Sequence, residues 1–516
     1  MTVRPPRLVA ILAVLLLVLT DVSHYEAATK KKKAAPKKKT TTTRKAPAKK
    51  AVAPPVEVAV GRTFEERLSS LVNGSVARSA DSSIQIVELE TGRLIAERNP
   101  HMPVAPASNM KLFTTAAAID MLKPTFEVTT SVQVRGAIDP SGTLDGDVKV
   151  IGRGDPTIGG RFHDGSATAV IQEWAADLKR AGIKTIRGNL IFEYGYMDTE
   201  YIHPTWPLDQ LVNWYEAPVS AFSMQEGCVE VRVLPGRPGA ACVVQLEPPT
   251  AFLTVQNSCR TGRGLPFITR QRGSNNIIVR GGVPARSGRT EVFVTVENPV
   301  QYFATVTNET FQREGLKIDG QIVLVPKDTR TDWREVTKHS TPMNVIVMVV
   351  NKKSQNHYAE QVIKMIGAEK GGSGSWAAGS REVESWLTTK VGVPGEEFYA
   401  ADGSGMSRNN RASANAFTHL LRYMWKSPWR EDFVSSLPYT GDPDSKFGKR
   451  LKHPPFARQV YAKTGYIAGV IGLSGYVHAQ SGKVYAFSFL FNRYRVGVYA
   501  VYRLQDEMLK EIILNG

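Results

Sequence analysis

Cysteine is scarce in this chain: Cys228, Cys242 and Cys259 are the only three in 516 residues, and they fall within one short stretch. Three leave room for one disulfide and one thiol in an oxidising compartment, and they exclude a fold stapled by many bridges. No CxxC, H-E-x-x-H or G-x-x-x-x-G-K-[ST] pattern occurs. That argues against zinc and nucleotide chemistry, so no cofactor is expected. Long apolar runs are equally rare. The one unbroken run, Leu8–Leu19, is twelve residues long and follows Arg4 and Arg7. A membrane-spanning helix needs about 20 such residues, whereas a signal-peptide core needs fewer.

Acidic residues are missing from one segment altogether. Residues 29–50 carry eleven Lys and Arg and no Asp or Glu, so removing them takes the net charge from +17 to 17 − 11 = +6. A block so rich in Lys, Ala, Pro and Thr cannot bury apolar surface and reads as disordered. It serves either as a solvated spacer or as a loose electrostatic contact to an anionic wall polymer or membrane surface; no specific nucleic-acid partner is expected. Residues 1–28 read as a signal peptide with a poor cleavage site, so cleavage and retention as an anchor both stay open. In either case the body is exported, to the periplasm or cell envelope.

At this length the chain can bury a large core and should form two or three domains. Short helical and strand signals near Phe64–Leu71, Ser83–Glu90 and Arg93–Arg98 lead into an alanine-rich helix after Ser108. From about residue 126 to 325 the texture becomes short alternating strands. It returns to α/β with Asn344–Val350 (NVIVMVV), read as a buried strand. Helices at Ser354–Ile366, Ser380–Val391 and Ala414–Lys426 follow, then strands to Phe491 and a helix over Gly497–Leu514. The expected division is a basic linker at 29–58, one discontinuous domain from 59–127 and 340–516, an inserted domain from 128–205 and 300–339, and a nested β-rich unit at 206–299.

Three short motifs carry chemistry. In APASNMKLFTTAAAID, Pro106 and Ser108 are helix-start residues, and the spacing puts the Ser108 hydroxyl and the Lys111 amine on one face. That is a nucleophile beside a base, although roughly two S-x-x-K matches are expected by chance in a chain this long. In VVNKKSQNHYAEQ, Ser354 offers a hydroxyl and Asn356 an amide; alone, the tripeptide reads as an ordinary helix N-cap before it reads as a site. In QVYAKTG, Lys463 can bind a carboxylate or depress the pKa of Lys111, and Gly465 lets a ligand approach the strand.

Together, S-x-x-K, S-x-N and K-T-G in this order resemble the penicillin-binding protein and serine β-lactamase superfamily. The gap of 246 residues between Ser108 and Ser354, against 109 between Ser354 and Lys463, narrows the resemblance to the class C, type-4 D-alanyl-D-alanine carboxypeptidase/endopeptidases of peptidase family S13. GRGDPTI (Gly152–Ile158), WYEAPVSAF (Trp214–Phe222) and DGSGMSRNN (Asp402–Asn410) are similar to that family too, and the likeness covers roughly Val60–Gly516. Tyr466 departs from it where Ser or Thr is common, as does Glu193 where Asp is common.

The resemblance implies an α/β (α+β) penicillin-binding/β-lactamase-like transpeptidase domain carrying a large β-rich insertion. It also implies a serine peptidase acting on D-Ala-D-Ala or D-Ala–diamino acid bonds of peptidoglycan stem peptides, with β-lactam antibiotics as covalent inhibitors. Ser108 would attack, Lys111 would be the base, Ser354 would pass on the proton, and Asn356 would hold the peptide amide. Lys463 and Thr464 would bind the terminal carboxylate, and the N–H groups of Ser108 and Tyr466 would form the oxyanion hole. Asp198 is nominated for the diamino-acid side chain. A β-lactamase is disfavoured by the insertion, and a non-catalytic wall-binding homologue by three intact motifs.

Overall fold

The computed structural model describes residues 63–516. The signal-peptide and basic-tail readings lie outside the described residues. Helix α1 (Phe64–Val72) begins at a capping box, in which Thr63 and Glu66 satisfy each other's backbone N–H groups. Strands β1 (Asp81–Glu88) and β2 (Leu94–Arg98) follow, then helix α2 (Met110–Met121). The chain returns to this region with helices α3 (Met343–Lys352), α4 (Asn356–Lys370) and α5 (Ala414–Lys426). Strands β3 (Val460–Ile467), β4 (Val470–His478) and β5 (Val484–Asn492) come next, and helix α6 (Val498–Asn515) closes the fold.

The five strands form one antiparallel sheet in the order β3-β4-β5-β1-β2, so segments about 400 residues apart in sequence pair directly, with Ile84 opposite Phe489. Alternation along the strands loads both faces. Ile471, Leu473, Phe487 and Phe489 pack beneath α1 and α6, while Tyr476, Ala486 and Leu490 join a second core built on α2 to α5. Every residue of α2 from Met110 to Asp120 is buried. It is therefore a central helix walled on all sides, as its apolar, alanine-rich sequence requires.

Asn344–Val350 is not a strand. It forms most of α3, with Ile346, Val347, Val349 and Val350 buried against the core around α2. A short continuous apolar run has no period that separates a buried strand from a buried helix, and the surrounding helices decide.

The segment between Glu127 and Pro342 leaves and returns at the same place, because Glu127 pairs with Pro342 across two antiparallel strands. It contains a seven-stranded mixed sheet flanked by helices Ala169–Arg180 and Pro299–Arg313, and two smaller sheets between Cys228 and Thr295. One continuous apolar cluster runs through it. All three cysteines lie here as buried thiols. Cys242 Sγ and Cys259 Sγ stand 3.2 Å apart, and Cys242 N–H donates to the Cys259 carbonyl at 2.9 Å. A disulfide oxidant is accordingly expected to join Cys242 to Cys259 and leave Cys228 as the thiol. Peptide mapping of non-reduced protein checks this, and the closed loop should add about 2–4 kcal/mol to stability. Among the described residues, no helix is long and apolar enough to cross a membrane.

Candidate active site

The site forms where the start of α2, the α3–α4 junction and the edge strand β3 meet. Chain entry to it is strained: Ala107 holds φ at +47°, a left-handed conformation that a residue with a Cβ adopts rarely. Its carbonyl packs so closely on Gly405 that a Cβ there would collide with it. Ala107–Asn109 then form a 3-10 turn, and the α-helix begins at Met110. Ser108 thus sits half-buried in the turn ahead of the helix, with Lys111 three residues on.

Lys111 Nζ donates to Ser108 Oγ at 3.2 Å, to Asn356 Oδ1 at 2.7 Å and to the Ser404 carbonyl at 2.7 Å. The side chain is fully buried, and burial brings its pKa down to about 7 against the opposing charges of Glu360 and Asp402. At neutral pH the amine is therefore divided between its charged and neutral forms. A neutral amine in contact with a serine hydroxyl is a general base.

Ser354 lies between α3 and α4, with φ at +56°. It does not cap a helix. Gln355 occupies the cap position, and the Ser354 hydroxyl instead accepts from Lys463 Nζ at 2.8 Å. Lys463 also donates to the Thr464 carbonyl at 3.0 Å, and burial followed by the charge of Lys111 holds its pKa well below the usual lysine range. Asn356 turns its other end to the insertion, donating through Nδ2 to the Tyr215 carbonyl at 2.8 Å. The five chemical side chains of the three motifs thus form two bonded groups, Ser108–Lys111–Asn356 and Ser354–Lys463.

Strand β3 is the edge of its sheet and carries Thr464, Gly465 and Tyr466 past Ser108. Gly465 is needed for contact: a Cβ there would lie 2.5 Å from Asn109 Nδ2 and 2.8 Å from the Pro106 carbonyl. Gly465→Ala is expected to push the Ser108 turn off the strand and lower the acylation rate by about 10²-fold, checked by stopped-flow labelling with a fluorescent penicillin. Asp198 stands apart from this group. Its carboxylate pairs with Lys364 Nζ at 2.7 Å, eight residues beyond Asn356 on α4, which is about 12 Å along the helix.

Glu360 escaped the motif reading. Wholly buried, it accepts from Gly403 N at 3.1 Å, Ser404 N at 2.8 Å and Trp376 Nε1 at 2.7 Å. It thereby fixes the turn whose Ser404 carbonyl holds Lys111. Burial and Asp402 push its own pKa up to about 7. The usable signal was its place four residues after Asn356 on a helix, on the same face. Asp402 completes the support, accepting from Gly405 N and Asn410 Nδ2 at 2.8 Å and from Trp206 Nε1 at 2.9 Å. Glu226 of the insertion accepts from both Gln355 and Arg161, and so props the Ser354 turn from outside. Two hydroxyls, each bonded to a buried amine with lowered pKa, suit acyl transfer to serine. No cluster of potential metal ligands occurs among the described residues.

The profile of the D-Ala-D-Ala carboxypeptidase 3 (S13) family matches residues 64–508. A D-alanyl-D-alanine carboxypeptidase of Actinomadura sp. (strain R39) is 31% identical over 447 residues, covering 83% of this chain and 81% of that protein. D-alanyl-D-alanine carboxypeptidase DacB of Haemophilus influenzae is 25% identical over 419 residues, 79% of this chain and 85% of its own length. Among solved structures, penicillin binding protein 4 (dacB) from Haemophilus influenzae superposes with a TM-score of 0.74 at 22% identity, covering 87% of this chain and 99% of that one. The fold is thus that of a penicillin-binding protein, with the β-rich insertion included.

Proposed function

The chain belongs to the D-Ala-D-Ala carboxypeptidase 3 (S13) family, and from that premise we propose an exported serine DD-peptidase that acts on peptidoglycan stem peptides through an acyl-enzyme on Ser108. The observation that carries this reading is Lys111 Nζ, which bonds at once to Ser108 Oγ and Asn356 Oδ1 and has a pKa of about 7.

In this mechanism the terminal D-Ala-D-Ala unit lies along the free edge of β3, its carboxylate drawn to Lys463 and Thr464. Asn356 holds the peptide amide. Ser108 Oγ attacks the carbonyl carbon of the penultimate residue while Lys111 takes the hydroxyl proton. The N–H groups of Ser108 and Tyr466 stabilise the resulting oxyanion. Collapse breaks the C–N bond, and the proton held by Lys111 passes through the Ser354 hydroxyl, kept in place by Lys463, to the leaving amine, which returns Lys111 to its neutral form and leaves Ser354 protonated. Water then attacks the ester under the same base, releasing the shortened peptide and restoring Ser108. A β-lactam presents a strained amide beside a carboxylate, so it acylates Ser108 by the same steps and stalls before hydrolysis. The solved Haemophilus influenzae relative, which has also been crystallised with a β-lactam, supports that inhibitor class.

The experiment is incubation with purified peptidoglycan fragments, resolved by mass. Loss of one D-alanine from pentapeptide stems, or conversion of cross-linked dimers to monomers, is the expected result. Fragments unchanged at neutral pH would overturn the proposal.

A further inference from the structure

Beyond the end of β3 the surface turns aromatic. Tyr466 is 57% exposed and Tyr499 is 81% exposed, among the few large apolar side chains left open to solvent. Tyr494 and Tyr502 are half-buried beside them, resting on the apolar core beneath α6. Two contacts hold this region together. Arg493 N–H donates to the Gly469 carbonyl at 2.9 Å, tying the segment before α6 to the β3–β4 turn. Arg450 Nη2 donates to the Tyr502 carbonyl at 3.2 Å, with its guanidinium 5.4 Å from the Tyr502 ring. Burial raises the pKa of the Tyr502 phenol, Arg450 opposes this, and the phenols of Tyr466, Tyr494 and Tyr499 add to it, so those three lie within electrostatic reach of Tyr502.

The direction of the substrate points at this surface. A stem peptide paired antiparallel to β3, with its carboxylate at Lys463 and Thr464, has its N-terminal end beyond Ile467. At about 3.4 Å per residue, a point three residues from the reacting bond lies about 10 Å farther on, over the β3–β4 turn and the segment from Arg493 to Tyr499. In peptidoglycan that end of the stem is joined to the sugar backbone. Tyrosine suits such a ligand: its ring stacks on the apolar face of a pyranose while its hydroxyl bonds the ring substituents.

We propose that Tyr466, Tyr494, Tyr499 and Tyr502 form a subsite for the sugar rings of the glycan that carries the stem peptide. This rests on the peptidase reading above and adds to it a preference for glycan-attached over free stems. It gives the open tyrosines a ligand and separates chemistry at Ser108 from recognition at the rim.

The test uses two substrates on the full chain, a free stem pentapeptide and the same pentapeptide on its disaccharide, with D-alanine release as the readout. The wild type is expected to show a lower KM for the disaccharide peptide. Tyr499→Ala should raise that KM about three- to tenfold and leave kcat and all constants for the free peptide unchanged, and Tyr499→Phe, which keeps the ring and loses the hydroxyl, should restore only part of the loss. Equal KM values for the two substrates, or a Tyr499→Ala effect of the same size on both, would overturn the subsite while leaving the peptidase reading intact. Release from neither substrate would overturn this inference, and the peptidase reading falls with it if cross-linked dimers also stay uncleaved.

Discussion

Replacing Ser108 by alanine is expected to lower D-alanine release by about 10⁴-fold or more and to abolish covalent labelling by penicillin. The fold should be spared. Ser108 is half-buried, and its hydroxyl accepts one bond, from Lys111 at 3.2 Å, while Asn356 Oδ1 and the Ser404 carbonyl still receive the amine. The strain at Ala107 is held by Gly405 and the neighbouring turn and not by the serine. The measurement pairs the labelling assay with a melting curve. Loss of labelling with an unchanged melting temperature locates the chemistry, whereas a labelled Ser108→Ala protein would place the nucleophile elsewhere.

Lys111 has the second large effect, and it carries a pH signature. Lys111→Met should reduce acylation by roughly 10²- to 10⁴-fold, the range expected for loss of a general base. In the wild type only the neutral amine can accept the Ser108 proton. With burial setting the pKa to about 7, the acylation rate should rise with pH up to that region and level off above it. Below it, the rate should fall about tenfold per unit as the ammonium form takes over. Glu360 is the largest charge opposing burial, so Glu360→Gln should move this limb to lower pH. Acylation rates from pH 5 to 9 check both statements. A flat profile would assign the base elsewhere, with the Lys463 amine acting through Ser354 as the remaining candidate.

The site was legible in sequence wherever a side chain acts through its own chemistry. A hydroxyl, an amine and an amide in three ordered motifs nominated Ser108, Lys111, Ser354, Asn356 and Lys463, and the structure joins these candidates in two bonded groups. What escaped was support that depends on the folded backbone. The carbonyls of Ser404 and Tyr215, which receive Lys111 and Asn356, leave no trace in residue identity. Glu360 matters because it is buried under them; its spacing from Asn356 put it on the right helix face but did not mark it as buried. The left-handed conformations of Ala107 and Ser354 were hidden for the same reason, since neither residue type announces it.

The fold shows the same division. Period-2 and period-3.6 patterns located α5 at Ala414–Lys426 and the hairpin of β1 and β2, and the sheet does join the first and last parts of the described chain. Asn344–Val350 failed because it is apolar throughout. Once α2 and α4 surround it, a helix satisfies its backbone internally where a strand would have needed a partner.

The measurement that bears most directly on the acyl-enzyme is the mass of the intact protein after brief exposure to benzylpenicillin at neutral pH, followed by peptide mapping. A single adduct of one penicillin, confined to the peptide containing Ser108 and absent from the Ser108→Ala protein, is the predicted result. No adduct, or an adduct on any other residue, would contradict it.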